Sequence, residues 1–311
     1  MENLVRNRLE QLGLPAGDLY TLPDSQKRFP DGAQYRIEIP SVEGPNALAA
    51  VLEEAERYGI RIHRVSQGSG IMMLTDEEIR EVARLGHEAQ IEVSLFVGPR
   101  AAWDTSAQVI SPAGRNLGAR LRGMDQVVYA TQDIIRATQL GIRSVLVADE
   151  GQLWLVNEMK KTGDLPTDLV VKISVQMGAA NPISVRWMET LGAGTYNVPT
   201  DLSLPQLAAI RAAVSLPLDI YVEVPDNFGG FVRHYEVPEM IRVAAPMYVK
   251  LGIRNGVDIY PSGRHIEDLA IKQARERVHR AKLVYDLIQR FVPEAVMTAH
   301  TAPDLGVPVL V

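Results

Sequence analysis

Several short apolar runs in this sequence carry a charged or polar residue where an aliphatic one would complete the pattern. Glu38 lies in YRIEIP, His63 and Arg64 in IRIHRVS, and Glu92 and Ser94 in IEVSLFV. Asp149 and Glu150 end SVLVADE, Lys172 and Ser174 lie in LVVKISV, Asn197 in GTYNV, Glu223 in LDIYVEV and Lys250 in MYVKLGI. An unpaired buried charge is expensive, so such a set either neutralises itself by pairing or is held for a ligand or metal.

Each type points to a chemistry. A lysine amine in an apolar strand, Lys172 or Lys250, is easier to deprotonate and can then form a Schiff base with a carbonyl substrate. Glu223 and Asp149 are candidate bases at strand ends, and His234 a candidate general acid or base. Glu38, Glu150 and His63 form a candidate ligand set for an oxygen-preferring divalent ion such as Mg or Mn. HExxH is absent, which removes a thermolysin-like zinc site. Asn197 and Arg64 are candidate substrate contacts. Glycine loops at SQGSG (66–70), GPR (98–100) and GIRNGVDIYPSGRH (252–265) expose backbone amides beside Arg100, Arg254 and Arg264, a combination that suits an anion. The competing reading is that the glycines only permit turns and the arginines pair with Asp258 or Glu267. EVPDNFGGFVRHYE (223–236) has the composition of a mobile lid.

These residues need a scaffold that brings distant strands together. The strand-like runs fall at 35–40, 60–66, 91–97, 144–149, 169–175, 194–198, 218–224 and 247–253, and each is followed by a helix-period segment. Gly59 stops the first such helix, Thr75 and Asp76 open the second, and Ser203 with a proline near the first turn opens another. Strict alternation of strand and helix forces parallel pairing with helical crossovers. Eight repeats match a closed (β/α)8 TIM barrel, whose active sites gather at the C-terminal strand ends. An open dinucleotide-binding sheet would place GxGxxG after the first strand; here that turn reads IPSVEGPNALA. The expected organisation is an N-terminal extension at 1–34, a barrel at 35–291 and an extended tail at 292–311, the tail serving as a docking strap or subunit contact.

Composition narrows the class. The 311 residues are 46% apolar and 23% charged, enough for one large buried core. A net charge of −6 and only 6% aromatic residues argue against nucleic acid as a partner. No apolar run reaches membrane-span length, and no signal-peptide core is visible, so a cytoplasmic protein is expected. The chain has no cysteine, which excludes disulfides, thiolate nucleophiles and cysteine-ligated iron–sulfur clusters.

The strand at 169–175 is followed by Asn181 and a helix ending in LGAG, then a strand, DLSLPQLAAI from Asp201, and PLDIYVEV. Over residues 169–224 this order resembles the barrel domain of the U32 peptidase family. The resemblance implies a barrel and, by its label, peptide hydrolysis. Members of that family carry cysteines after strand seven, which in several ligate an iron–sulfur cluster; this sequence has VPDNFGGFVRHYE there and no sulfur. Neither the cluster nor any catalytic residue of the family carries over.

The expectation from the residues is an enzyme acting on a small polar, anionic metabolite, such as a sugar acid or keto acid, by lyase or isomerase chemistry. Its rivals are a U32-type peptidase and a non-catalytic barrel subunit that self-associates through its tail.

Overall fold

The structure is a computed structural model that describes residues 2–103, 107–299 and 301–311. Strands β1 (Tyr35–Pro40), β2 (Arg64–Ser66), β3 (Glu92–Phe96), β4 (Ser144–Val147), β5 (Val170–Ile173), β6 (Thr195–Asn197), β7 (Leu218–Glu223) and β8 (Met247–Leu251) run parallel in chain order. β8 pairs back onto β1, so the sheet closes as a TIM barrel.

Alternation along each strand divides the work. Ile37, Ile39, Val65, Val93, Val145, Val171, Ile220 and Val249 share one hydrophobic cluster with the buried faces of the surrounding helices. Those faces include Leu48 and Val51 of α2 (Pro45–Tyr58), Ile79 and Val82 of α3 (Asp76–Glu88), and Ile134 of α5 (Gly123–Gln139). Burying one such side chain contributes about 1.5–3 kcal/mol, so the outward face supplies most of the stability and leaves the inward face free to be polar.

Local signals set the helix ends. Thr75 and Glu78 form a capping box on α3, and Ser203 and Gln206 form another on α8 (Leu204–Ala213). Asp149 caps α6 (Glu150–Thr162), and Asn181 caps α7 (Pro182–Thr190). Gly59 ends α2 at φ 61°, a left-handed conformation that glycine adopts without steric cost. The remaining helices are α1 (Glu2–Gln11), the single turn α4 (Ala107–Ile110), α9 (Val237–Ala244) and the long α10 (Glu267–Phe291).

The two ends of the barrel are finished differently. At the N-terminal end the tail folds back on its own barrel. Met297 bridges Tyr35, Val309 N–H donates to Gly141 O at 2.9 Å, and Ala302 and Leu305 pack with Phe29, Ala33 and Tyr248. The tail thus straps the base of its own barrel, where most of its apolar side chains are spent, while Leu310 and Val311 stay exposed. At the C-terminal end, the long connection between β3 and α5 brings Ala102, Trp103, Arg115 and Gly118 over the mouth. Among the described residues, no helix is long and apolar enough to cross a membrane.

Candidate active site at the barrel mouth

Strand register builds the charged interior. Lys250 pairs with Glu38, Glu38 with Arg64, and Arg64 with Glu92, so strands 8, 1, 2 and 3 place alternating charges side by side. Glu38 is the hub. Its carboxylate accepts from Arg64 Nε at 2.9 Å, Ser66 Oγ at 2.7 Å and Lys172 Nζ at 2.7 Å, and lies 3.2 Å from Lys250 Nζ. Asp219 closes the network against Arg64 and against Lys172 Nζ at 2.9 Å, and accepts from Thr195 Oγ1 at 3.1 Å. Glu92 accepts from Ser144 Oγ at 2.7 Å and lies 3.7 Å from Arg64.

Three carboxylates thus face three cations, and the electrostatics follow from their places. Burial alone would raise the pKa of Glu38, but Arg64, Lys172 and Lys250 together hold it well below the ordinary carboxylate range. At Glu92 burial outweighs the more distant Arg64 and the pKa rises. Burial, with help from Arg64, pushes the Lys172 amine down to about 8.

Above this network a cavity of about 230 Å³ opens at the C-terminal ends of the strands. Its lining takes Lys250 from β8, Tyr221 from β7, Asn197 from β6, Ser174 and Gln176 after β5, Phe96 and Arg100 at and beyond β3, and Tyr260 from the loop after β8. Lys250 Nζ sits 4.5 Å from the centroid of the Tyr221 ring. The Asn197 amide, oriented to satisfy both its ends, accepts from Lys250 Nζ at 2.9 Å and donates to the Asp219 carbonyl at 3.1 Å. Arg100 is buried, with Cζ 3.9 Å from the ring centroids of both Phe96 and Trp103. Its Nη2 donates to Gly68 O at 2.7 Å, while Nε is buried without an acceptor among the described residues.

The residues singled out from sequence therefore divide. Lys250, Asn197 and Arg100 meet at the cavity. Lys172 and Arg64 lie fully buried in the network and do not line it, so a substrate reaching the cavity floor meets Lys250 first. Glu223 is turned aside by the register shift after Tyr221, which aligns Glu223 with the outward Leu251. Its carboxylate faces His234 Nε2 at 3.2 Å and Arg280 of α10 at 3.7 Å, and accepts from Arg254 N–H at 2.9 Å. Glu223 and His234 are thus brought together, but outside the cavity lining. Burial would raise the Glu223 pKa, yet the His234 contact, the Arg254 amide and Arg280 lower it.

Other expectations need correction. Asp149 is spent as a helix cap, accepting from Gly151 N–H at 2.9 Å and Gln152 N–H at 3.3 Å, because a carboxylate at a strand end that opens a helix is drawn to its free amides. Glu150 pairs with Arg120. His63 takes Ile37 N–H on Nδ1 at 3.0 Å and donates from Nε2 to Thr298 O at 2.8 Å; burial drives its pKa to about 3, so it stays neutral. Glu38, Glu150 and His63 consequently occupy three separate surroundings, and among the described residues no group of three His, Asp or Glu could hold a metal. Arg254 and Arg264 face Asp226 at 3.3 Å and Glu78 at 3.9 Å, neither being the partner expected, and neither arginine lines the cavity.

Sequence reasoning passed over Asp219, Tyr221 and Arg36. The period-two rule was the available signal: Asp219 and Tyr221 alternate with Ile220 and Val222, as Arg36 does with Ile37.

Fold and site together define a closed barrel with a charged floor beneath a small cationic mouth. Residues 122–224 match the model of peptidase family U32, so the resemblance read over 169–224 stands and extends back to the start of α5. No curated protein matches the sequence. A solved U32 peptidase aligns with 76% of this chain and 99% of its own, at 15% identity and TM-score 0.44. A provisionally assigned fructose-1,6-bisphosphate aldolase from Coccidioides immitis aligns with 83% of this chain and 92% of its own, at 15% identity and TM-score 0.51. At such identity the likeness is one of fold.

Proposed function

We propose that the chain is a cytoplasmic barrel enzyme that binds a small anionic carbonyl compound at the mouth and engages it with the Lys250 amine, in lyase or isomerase chemistry. The observation behind this reading is the cavity lining, where Lys250 forms part of the floor and Arg100 and Arg115 add positive charge against, among the described residues, the carboxylate of Asp258. A mouth so charged favours an anion, and an amine at its floor favours a carbonyl.

In the proposed step the nitrogen of Lys250 bonds to the carbonyl carbon and the carbonyl oxygen leaves as water. Counted from the ammonium form, the product is a protonated imine, so the charge on Glu38's partners is conserved. That imine accepts the electron pair released when an adjacent C–C or C–H bond breaks. Asn197 holds the nitrogen in place, and Lys172, sealed below, keeps Glu38 ionised.

Borohydride trapping with a panel of keto acids and aldehydes tests it. A reduced adduct at Lys250, located by mass spectrometry and absent in Lys250→Met, is the expected result; no adduct with any member removes the imine mechanism. The U32 match favours a second reading, peptide hydrolysis. Ser41, Ser66 and Ser174 line the cavity, but no histidine does among the described residues, so a serine there has no imidazole base beside it. Turnover of a peptide library that survives Lys250→Met would make this the better reading.

A further inference from the structure

We propose that the anionic group of the ligand is a carboxylate rather than a phosphate, and that Arg100 is the residue that selects it. This rests on the mouth cavity being the substrate site, as argued above.

Barrels frequently hold phosphate on backbone amides exposed by glycine loops at the strand ends. Here several of those amides, in the loops after β2 and β8, are already taken by the chain's own side chains. After β2, the Glu43 carboxylate accepts from Gly68 N–H at 2.7 Å and Ser69 N–H at 3.0 Å, and Gln67 Oε1 accepts from Gly70 N–H at 3.0 Å. After β8, Glu223 accepts from Arg254 N–H at 2.9 Å, and Asp226 accepts from Asn255 N–H. A phosphate brings up to about two negative charges and three acceptor oxygens. At either loop it would meet carboxylates in the places it needs.

Arg100 offers a different fit. With Phe96 and Trp103 packed against the guanidinium, recognition falls to its in-plane N–H groups, and Nε is buried without an acceptor among the described residues. No carboxylate lies within ion-pairing distance of it among the described residues. Burial lowers its pKa to about 10, outweighing the opposing pull of Glu43 and Tyr260, neither of which is in ion-pair contact with it. A planar carboxylate matches a guanidinium edge in both charge and geometry. The cavity, at about 230 Å³, is smaller than the roughly 300–1,000 Å³ typical of drug-sized ligands, so the acid is short.

The test separates binding from chemistry. Titration calorimetry on the wild-type protein and on Lys250→Met would use a short 2-keto acid, its methyl ester and dihydroxyacetone phosphate, and be repeated on Arg100→Gln and Arg100→Lys after thermal unfolding confirms that each is folded. We expect the acid to bind, the ester to bind at least tenfold more weakly, and the phosphate ester not to compete. Arg100→Gln should weaken the acid by about a hundredfold without changing the ester, and Arg100→Lys should not restore it. Tighter binding of the phosphate ester than of the acid, or equal losses for acid and ester in Arg100→Gln, overturns the proposal. Acid binding that depends on Arg100 without any borohydride adduct removes the imine mechanism alone. An adduct with Arg100-insensitive affinity removes this inference alone, and a panel in which no acid binds removes both.

Discussion

Two arginines, one at each end of the barrel, show how the same side chain can be finished in opposite ways. Arg36 at the base and Arg100 at the mouth are both buried, and each holds Cζ 3.9 Å from a phenylalanine ring centroid. Arg36 then meets every need within the chain: Nη1 and Nη2 each donate to Asp304 at 2.8 Å, and Nε donates to Thr298 Oγ1 at 3.0 Å. Arg100 has, among the described residues, one backbone carbonyl and an idle Nε. A buried cation that the chain completes contributes to the fold, whereas one left incomplete is a cost that a ligand can offset.

The largest effect should come from the network between the two ends. Glu38→Gln leaves Arg64, Lys172 and Lys250 without their shared partner, and removing one member of a buried ionic set costs about 3–5 kcal/mol. Denaturant unfolding should give a loss near the top of that range; a loss below about 1 kcal/mol would mean that the interior cations are solvated. At the base, Asp304→Ala leaves the fully buried Arg36 with only the more distant Asp31, at 3.8 Å, as counter-charge and should cost about 3 kcal/mol, with Lys250 adduct formation intact in the folded protein. Loss of the adduct with stability retained would break the division between the ends.

A smaller effect concerns pH at the base. His63 has its folded-state pKa depressed to about 3 from an ordinary 6.5, so between these values the unfolded chain binds the extra proton. Stability should therefore fall as pH drops from about 6.5 toward 3, by up to one proton in slope. His63→Gln should flatten that part of the profile, and an unchanged slope would show that His63 is not held neutral. The smallest effect is expected at the mouth. Arg100→Gln removes a desolvated cation that has no direct ion pair among the described residues and should change unfolding free energy by no more than about 1 kcal/mol. A loss as large as that of Asp304→Ala would make Arg100 a structural residue and erase the contrast.

The eight strands were readable because alternation of apolar runs with capped helices admits few architectures. Lys250, Asn197 and Arg100 could be picked out because each interrupts or follows a strand that otherwise reads as core. What local pattern does not carry is the outcome of competition. Glu223 reads as a strand-end base until the register shift turns it toward His234 and α10. Asp149 reads likewise, though the Asp-Glu-Gly start of α6 shows in hindsight that a cap was the stronger claim. The glycine loop after β2 reads as an anion nest, but Glu43, well upstream of it, fills it. Such occupancies depend on tertiary neighbours, beyond the reach of spacing rules.

The bond between Arg36 and Asp304 joins positions 268 residues apart, and this constrains the order of assembly. A chain emerging from the ribosome delivers β1 early, yet until the tail is synthesised the guanidinium on that strand has only the more distant Asp31, at 3.8 Å, and lacks its two-pronged partner. Nascent β1 thus has reason to stay hydrated and open while the intermediate βα units form. Ring closure by β8 and sealing by the tail come last, a long-range step of the kind that slows folding.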